Sequence, residues 1–310
     1  MWILWLACSS SPMEPCTTTG VWDLSTDEAN PSIEWALSHG AEDICLGPGA
    51  YALPCGDFDQ QPLRITGAGA EQTELRGASC NQRYFNGAGD YLLQDLSITT
   101  DTLFIQPSSG RVEIRDVVIR DLGEPQTSTA GVILWGLVDI DGLEIRDAVL
   151  PNGYLTIVGQ GSTVRDLWVH DNTQYEHHAM EFTGVAFDDL RVEDNIQGEL
   201  ASGNTFMRLS DAQVDGLHFA NNGTGELLVD GQVSLSETLF QDSAGEDGQV
   251  IQTLSDTTLR VDAADFSRSG GISMARDSTL LLSDTDFQGL DCPVLCSEAC
   301  LEPAAEVNCL

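Results

Sequence analysis

The sequence of 310 residues contains no lysine, and its 13 arginines face 49 acidic residues, which gives a net charge of −36. Such a chain lacks the basic footprint that nucleic-acid binding requires, because binding depends on neutralising phosphates. For the same reason it lacks a polybasic patch for an anionic membrane surface. Aromatic residues are few, at 7%, whereas 30 glycines indicate many turns. A strongly acidic surface of this kind keeps a protein soluble.

Cysteine is absent from the long middle of the chain, although the sequence has nine. Eight of them form two groups of four near the ends: Cys16, Cys45, Cys55 and Cys80, then Cys292, Cys296, Cys300 and Cys309. In an exported chain an even number predicts disulfides, and we expect pairing inside each group. The alternative is a zinc site on the last four, but their C-x3-C-x3-C-x8-C spacing departs from paired zinc knuckles.

The remaining cysteine, Cys8, follows an apolar run and precedes a polar linker, in MWILWLAC followed by SSSP. The small Ala7 before Cys8 resembles a bacterial lipobox. That resemblance implies cleavage before Cys8 and its lipidation, although Trp5 stands where an aliphatic residue is usual and no charged region precedes the run. A chance apolar N-terminus is the alternative. We therefore predict a signal in residues 1–8 and a linker with an N-terminal segment in 9–29.

One short pattern returns nine times between residues 92 and 290. The pattern has six positions. The first and last are apolar, the third is Asp or Gly in most copies, the fourth is mostly apolar, and the second and fifth accept any residue. The last residues of successive copies are 21 to 27 positions apart, about 24 on average, and such a period predicts a repeat architecture. The copies are LQDLSI (93–98), IRDVVI (114–119), IDGLEI (140–145), VRDLWV (164–169), FDDLRV (187–192), VDGLHF (214–219), LSETLF (235–240), VDAADF (261–266) and LSDTDF (282–287).

The repeat unit predicts two short strands that meet at the Asp or Gly position, because both residue types tolerate the left-handed backbone of a sharp corner. Alternation places Ile114 and Ile119 inward and Arg115 outward. Each coil also has a third predicted strand, as in GVILW (131–135), HAMEF (178–182), TFMRL (205–209) and GISMA (271–275). Three strands and three corners predict an all-β fold, a single parallel β-helix that spans residues 30–291.

Two segments resemble the right-handed, pectin-lyase-like β-helices: SIEWALSHGAEDICLGPGAYAL (32–53) and LRITGAGAEQTELRG (63–77). The resemblance implies a right-handed coil with a short helix capping its first turn. The residues agree, since Asn30 suits the N-cap, Pro31 the first helical position and Gly40 the helix end. The cysteine-rich tail 292–310 is predicted to cap the other end, because open strand edges recruit other chains.

Three of the five histidines fall in one coil, within WVHDNTQYEHHAMEF (168–182). If the strands HAMEF and TFMRL stack, Glu181 and Arg208 become neighbours. The candidate catalytic set is His170, His177, His178, Glu181 and Arg208, a patch that would perform acid–base work on a sugar or bind a metal. The alternative is a polar surface loop with a weak exposed ion pair.

Outward aspartates recur at equivalent points of different coils: Asp141, Asp188, Asp215 and Asp262. Stacked carboxylates repel, so Asp188 and Asp215 are candidate calcium ligands. A solvated face is the alternative, because Arg115 and Arg165 occupy the same column and interrupt it. We predict no other cofactor.

The catalytic patterns of the resembled family do not carry over to this chain. The calcium-binding aspartate set of pectate lyases cannot be assigned to one coil, and no N-T-D or G-H-G segment of the glycosidases is present. We therefore leave catalysis unassigned and expect an exported, lipid-anchored bacterial cell-surface or outer-membrane protein that acts as a binding or structural module, with a glycan as the ligand that the resemblance implies. The alternatives are a polysaccharide lyase or glycoside hydrolase centred on residues 168–208, and an adhesin that contacts another protein.

Overall fold

A computed structural model describes the chain in fifteen segments, and all structural statements below concern these residues. They are 21–24, 32–53, 56–58, 62–77, 83–85, 87–99, 103–121, 131–150, 155–174, 180–197, 205–223, 226–243, 248–296, 299–301 and 303–309.

The described chain consists almost entirely of short strands. The elements of its first half are β1 (Val21–Leu24), α1 (Ile33–Ser38), β2 (Asp43–Leu46), β3 (Gly49–Leu53), β4 (Gly56–Phe58), β5 (Leu63–Thr66), β6 (Thr73–Gly77), β7 (Arg83–Phe85), β8 (Tyr91–Thr99), β9 (Leu103–Ile105), β10 (Arg111–Arg120), β11 (Val132–Trp135), β12 (Leu137–Arg146), β13 (Val149–Leu150) and β14 (Leu155–His170). Those of its second half are β15 (Thr173–Gln174), β16 (Met180–Glu193), β17 (Ile196–Gln197), β18 (Thr205–Ser210), β19 (Gln213–Ala220), β20 (Glu226–Asp230), β21 (Gln232–Gln241), β22 (Gln249–Thr253), β23 (Thr258–Ser267), β24 (Gly271–Met274), β25 (Ser278–Ser283), β26 (Asp286–Gln288), β27 (Val294–Cys296), β28 (Ala299–Leu301) and β29 (Glu306–Cys309).

These strands form a right-handed parallel β-helix of about eight turns with about 24 residues per coil, which agrees with the period of the repeat and with the handedness that the resemblance implies. Each coil has three faces. Face A precedes the repeated Asp or Gly corner, face B follows it, and face C returns the chain to face A. Strands β10 and β12 each supply faces A and B of one coil, whereas β11 and β18 lie on face C. The third strand predicted for each coil is thus confirmed.

The parallel register stacks the same repeat position in every coil. Ile119 pairs with Ile98 of the preceding coil and with Ile145 of the next. The side chains of this inward column fill the interior, and all but the last are buried. The column runs Leu75, Ile98, Ile119, Ile145, Val169, Val192, Phe219, Phe240, Phe266 and Phe287.

The corner between faces A and B has the predicted left-handed backbone in all nine copies, with φ between 45° and 79°. Seven copies place Asp or Gly there; Glu237 and Ala263 adopt the same conformation without those residue types. A second left-handed corner follows face B, at Asp147, Asp171 and Asp194 among others. Coil geometry therefore imposes this backbone even where the side chain does not favour it.

Helix α1 begins later than the sequence predicts. Its N-cap is Ser32 rather than Asn30, because the Ser32 hydroxyl accepts the backbone N–H of Trp35 at 3.0 Å. Gly40 follows the helix with φ of +78°, as predicted. No helix in the described part of the chain is long and apolar enough to cross a membrane.

The C-terminal end departs from the parallel pattern. Strand β28 pairs antiparallel with β27, and β29 pairs antiparallel with β25. Disulfides join Cys292 to Cys300 and Cys296 to Cys309, which confirms pairing inside this group and excludes the zinc alternative for these four residues. Strand β27 still pairs in parallel with β24, so the last coil extends into the segment predicted as the cap.

The N-terminal cysteines are described only in part. Cys45 is disulfide-bonded. Cys8, Cys16, Cys55 and Cys80 lie outside the described residues, so lipidation and the pairing of that group stay predictions.

Candidate functional site

The outer surface of face B carries two adjacent columns of side chains, one residue from each coil in each column. The first column runs Glu74, Ser97, Val118, Glu144, Trp168, Arg191, His218, Leu239, Asp265 and Asp286. The second runs Arg76, Thr99, Arg120, Arg146, His170, Glu193, Ala220, Gln241, Ser267 and Gln288. Four arginines and two histidines thus gather on one face of a chain whose net charge is −36.

A groove with a volume of about 280 Å³ runs along the edge of this face. Its walls include Ala70 on one side and Trp168 on the other, and three carboxylates line it: Asp116, Glu144 and Asp166. Gly142 occupies the corner between the two aspartates. A Cβ there would lie 3.0 Å from Asp116 Oδ1, and φ is +79°, so glycine both permits the turn and keeps the groove open.

Trp168 is the exposed aromatic residue of the groove, with 37% of its surface accessible. Its indole Nε1–H donates to Glu193 Oε1 at 2.8 Å. Its ring stacks on the imidazole of His170, with centroids 3.8 Å apart and an interplanar angle of 22°. The indole is therefore held in one orientation before any ligand arrives, which lowers the entropic cost of binding.

His170 lies between two carboxylates at the end of strand β14. Its Nε2 is 3.2 Å from Glu144 Oε1, and its Nδ1 is 2.7 Å from Asp171 Oδ2. Only 11% of its side chain is exposed. Glu144 also pairs with Arg146, whose Nε is 2.7 Å from the same oxygen. The arrangement can orient a ligand through charge-assisted hydrogen bonds, and it places a histidine where a proton could be taken up or delivered.

Ion pairs continue the network on both sides of the groove. Thr99 and Arg76 both donate to Glu74, and the hydrogen bond from Arg76 lowers the pKa of the Glu74 carboxyl, with partial burial opposing the shift. On the other side, Arg191 binds both carboxylate oxygens of Asp189 at 3.1 and 2.6 Å, which raises the pKa of Arg191. Each pair fixes a long side chain on the surface of face B.

The predicted catalytic patch is divided between two faces. Glu181 and Arg208 are neighbours on face C, as predicted, with Arg208 Nη1 3.6 Å from Glu181 Oε1. Arg208 also reaches Asp230 at 2.8 Å. His170 instead belongs to face B, because the chain passes the corner at Asp171 before it reaches Glu181. His170 therefore lies on a different face from Glu181 and Arg208, and the catalytic role of these residues stays a prediction. His177 and His178 lie outside the described residues.

The predicted aspartate column is present on face A. Asp188 pairs in register with Asp215, and Arg165 precedes them in the same column. Ser236 of the next coil donates to Asp215 at 3.0 Å. Among the described residues no group of three or more His, Cys, Asp or Glu side chains could hold a metal ion. Calcium at Asp188 and Asp215 stays a prediction.

Two features of the site escape reasoning from the repeat pattern alone. The first outer column is the fifth position of each copy, and the second is the residue that follows the sixth and last position. The repeat pattern allows any residue type at both places. An alignment of the nine copies in the sequence would place the residues of each outer column at one position. A buried ladder also follows face B, in which Asn172 Nδ2 donates to Asn195 Oδ1 and Asn195 Nδ2 donates to Asn222 Oδ1, both at 2.9 Å. Its signal is the DN or NN dipeptide that follows the fourth, fifth and sixth copies after one intervening residue.

No protein-family model matches the chain, and no curated protein matches it. Several solved structures resemble it at low identity. The A-module of Azotobacter vinelandii mannuronan C-5 epimerase AlgE4 superposes with a TM-score of 0.47 and 16% identity, over 85% of this chain and 91% of that one. Pectate lyase Pel9A gives 0.38 and 10%, over 87% and 79%. The Agl-KA catalytic domain gives 0.32 and 10%, over 85% and 68%.

Proposed function

We propose that this protein is a polysaccharide-binding module that holds its ligand along face B, in the groove beside Trp168. The observation that carries the proposal is the exposed indole of Trp168, fixed by Glu193 and His170 at the wall of a groove lined with carboxylates. An aromatic ring offers an apolar face to the C–H groups of a sugar, while the surrounding polar groups meet its hydroxyls.

The repeat of the coils supports a polymeric ligand. Strands of neighbouring coils lie about 4.8 Å apart, so face B presents its polar groups in a straight row along the axis. Arg120, Arg146 and His170 occupy consecutive coils of one column. A chain of sugars laid along this row meets a new side chain at each step, whereas a small ligand would use only one or two of them.

Export to the cell surface with a lipid anchor on Cys8 is part of the proposal. The two C-terminal disulfides support an oxidising compartment, because such bonds do not persist in a reducing cytosol. Mass spectrometry of the protein from cells tests the anchor: a diacylated N-terminal cysteine at Cys8 is expected, and an intact Met1–Cys8 segment on the exported protein would refute it.

The binding proposal is tested by affinity electrophoresis and calorimetry with a panel of acidic and neutral polysaccharides. Trp168→Ala should weaken binding about 5- to 30-fold, since one stacked aromatic contributes on the order of 1–2 kcal/mol. Trp135→Ala is the matched control, because Trp135 is similarly exposed but lies on face C. Equal losses in both variants, or no binding by the wild type to any polysaccharide, would contradict the proposal.

A second candidate function is a polysaccharide lyase or glycoside hydrolase at the same groove. The contact of His170 with Glu144 and Asp171 favours it, because a histidine so placed can serve as a general acid or base. Product analysis of each bound polysaccharide distinguishes the two functions. Cleavage that disappears in His170→Gln while binding persists would establish the enzyme, and an unchanged polymer supports the binding module.

A further inference from the structure

A second exposed apolar region lies on the corner between faces C and A, away from the groove. Trp135, Leu137 and Val158 are 43%, 38% and 37% exposed. Trp135 pairs in register with Val158, and Leu137 follows Trp135 by two residues. Only six large hydrophobic residues of the described chain are exposed to this degree, and three of them form this cluster, which we call the Trp135 patch. Clustering of this kind marks an interaction surface more often than scattered exposure does.

The Trp135 patch continues onto a part of face A with no net charge. Leu137 pairs in register with Arg111, which begins the outward row of strand β10. The outward charges of strands β10, β12 and β14 here are three arginines and three carboxylates: Arg111, Glu113, Arg115, Asp139, Asp141 and Arg165. Arg115, Asp141 and Arg165 alternate in sign along one column. The charges form exposed ion pairs, such as Arg165 Nη2 with Asp141 Oδ2 at 3.4 Å. We call these six residues the rim.

We propose that the Trp135 patch and its rim form the contact between two copies of this chain, related by a two-fold axis. A two-fold contact places the same surface on both sides, so it must be complementary to itself. The rim is compatible with this requirement because it offers equal numbers of both charges on face A beside the apolar patch. Two copies that each carry a charge of −36 repel strongly, and a neutral region is where their approach costs least.

The chemistry of the patch favours a protein over a sugar. Trp168 is surrounded by hydrogen-bonding groups, with its own Nε1–H bound to Glu193. Trp135 instead has the apolar Val158 beside it in register. Pro107 lies next to the following residue, with its Cγ 3.6 Å from the position that a Cβ on Gly136 would occupy. A basic partner is disfavoured too, because the rest of the acidic surface would attract it more strongly than this neutral region.

The contact should be weak. Stable dimers bury about 800 Å² of surface on each partner. Three apolar side chains and an ion-paired rim bury that area only if residues of neighbouring coils also contact the second copy. We therefore expect a dimer whose population depends on protein concentration. The Trp135 patch lies on the corner opposite face B, so a polysaccharide held beside Trp168 leaves the apolar part of the contact free.

Sedimentation velocity of the wild-type chain over a range of concentrations tests the proposal. We expect a shift from monomer to dimer as the concentration rises, and a dissociation constant at least tenfold higher in Trp135→Glu. Trp168→Ala is the control and should dimerise as the wild type does. A wild type that stays monomeric up to its solubility limit overturns the proposal, as does a Trp135→Glu protein that still dimerises normally.

Charge reversal on the rim tests self-complementarity separately from apolar burial. One variant carries Arg111→Glu and Arg165→Glu, and the other carries Asp139→Arg and Asp141→Arg. Each alone should dimerise more weakly than the wild type, whereas their mixture should restore the association, because each copy then faces the opposite charge. Circular dichroism confirms that both variants fold. A mixture no tighter than either variant alone overturns the proposed two-fold contact.

Discussion

The two halves of face B differ both inside and outside the coil. From β8 to β16 the interior column is aliphatic, ending in Val169 and Val192, while the outer columns carry arginine, glutamate, Trp168 and His170. From β19 onward the interior becomes a row of phenylalanines, and the outer columns contain no arginine or tryptophan; besides uncharged side chains such as Leu239 and Gln241 they carry His218, Asp265 and Asp286. The arginines, Trp168 and His170 therefore lie over the aliphatic half.

This difference shows that the inner and outer surfaces of a coil vary independently. Because side chains alternate along a strand, the residue that packs in the core and the residue that meets solvent are adjacent in sequence but lie on opposite sides of the backbone. The phenylalanine half can raise stability without affecting the groove. Phe266→Ala tests this separation directly, and three further changes with successively smaller expected effects test the asparagine ladder, the corner between faces A and B, and face A.

The largest effect is expected for Phe266→Ala. Phe266 is fully buried between Phe240 and Phe287, with ring centroids at 4.7 and 4.6 Å. Its removal should lower the free energy of unfolding by about 3–5 kcal/mol, measured by urea denaturation with the disulfides intact. Ser267→Ala on the outer side of the same strand is the control. If Phe266→Ala also weakens polysaccharide binding under folding conditions, the two halves are coupled and the separation is wrong.

A smaller loss is expected for Asn195→Ala, which interrupts the buried asparagine ladder that follows face B. Asn195 accepts from Asn172 Nδ2 and donates to Asn222 Oδ1, and all three side chains are buried. The change leaves buried amide groups without partners and should cost about 2–3 kcal/mol of unfolding free energy. Ser243→Ala, at the end of the ladder, loses fewer hydrogen bonds and should cost less. Equal losses in the two variants would argue against a cooperative ladder.

Ala263→Gly should stabilise the protein. Ala263 adopts φ of +51° at the corner where most coils have Asp or Gly. An alanine in this region is strained by about 1–2 kcal/mol, and glycine removes the strain at some entropic cost, so a gain of about 1 kcal/mol is expected. Thermal unfolding measures it, with Ala264→Gly as the control that should destabilise. A melting temperature lowered by both changes would show that the corner does not strain its side chain.

The smallest effect is expected from calcium. Asp188 and Asp215 would supply two carboxylates to an ion that takes six to eight oxygen ligands, so addition of calcium or a chelator should change the melting temperature little. Asp215→Asn provides the comparison. A clear increase with calcium that this variant lacks would establish a structural ion on face A.

Much of the fold could be predicted because it depends on a local sequence pattern that repeats along the chain. The Asp or Gly corner and the alternation around Ile114 predict strand, turn and inward side, and nine copies make the pattern hard to mistake. The helix start could not be placed as well, because Asn30 and Ser32 are both good N-caps and the hydrogen bond to Trp35 decides between them. The candidate site was harder still, since Trp168 and Glu193 come from successive coils and meet only after stacking.

The amino-acid sequence by itself determined the coil: its period, its corners, its three strands and its apolar interior. Each of these features depends on residues that are close together in the chain. The tertiary structure alone decided which polar side chains meet. His170 contacts Glu144 across 26 residues and not Glu181, which is closer in sequence, because stacking brings equivalent positions of neighbouring coils together while a corner turns sequence neighbours onto different faces.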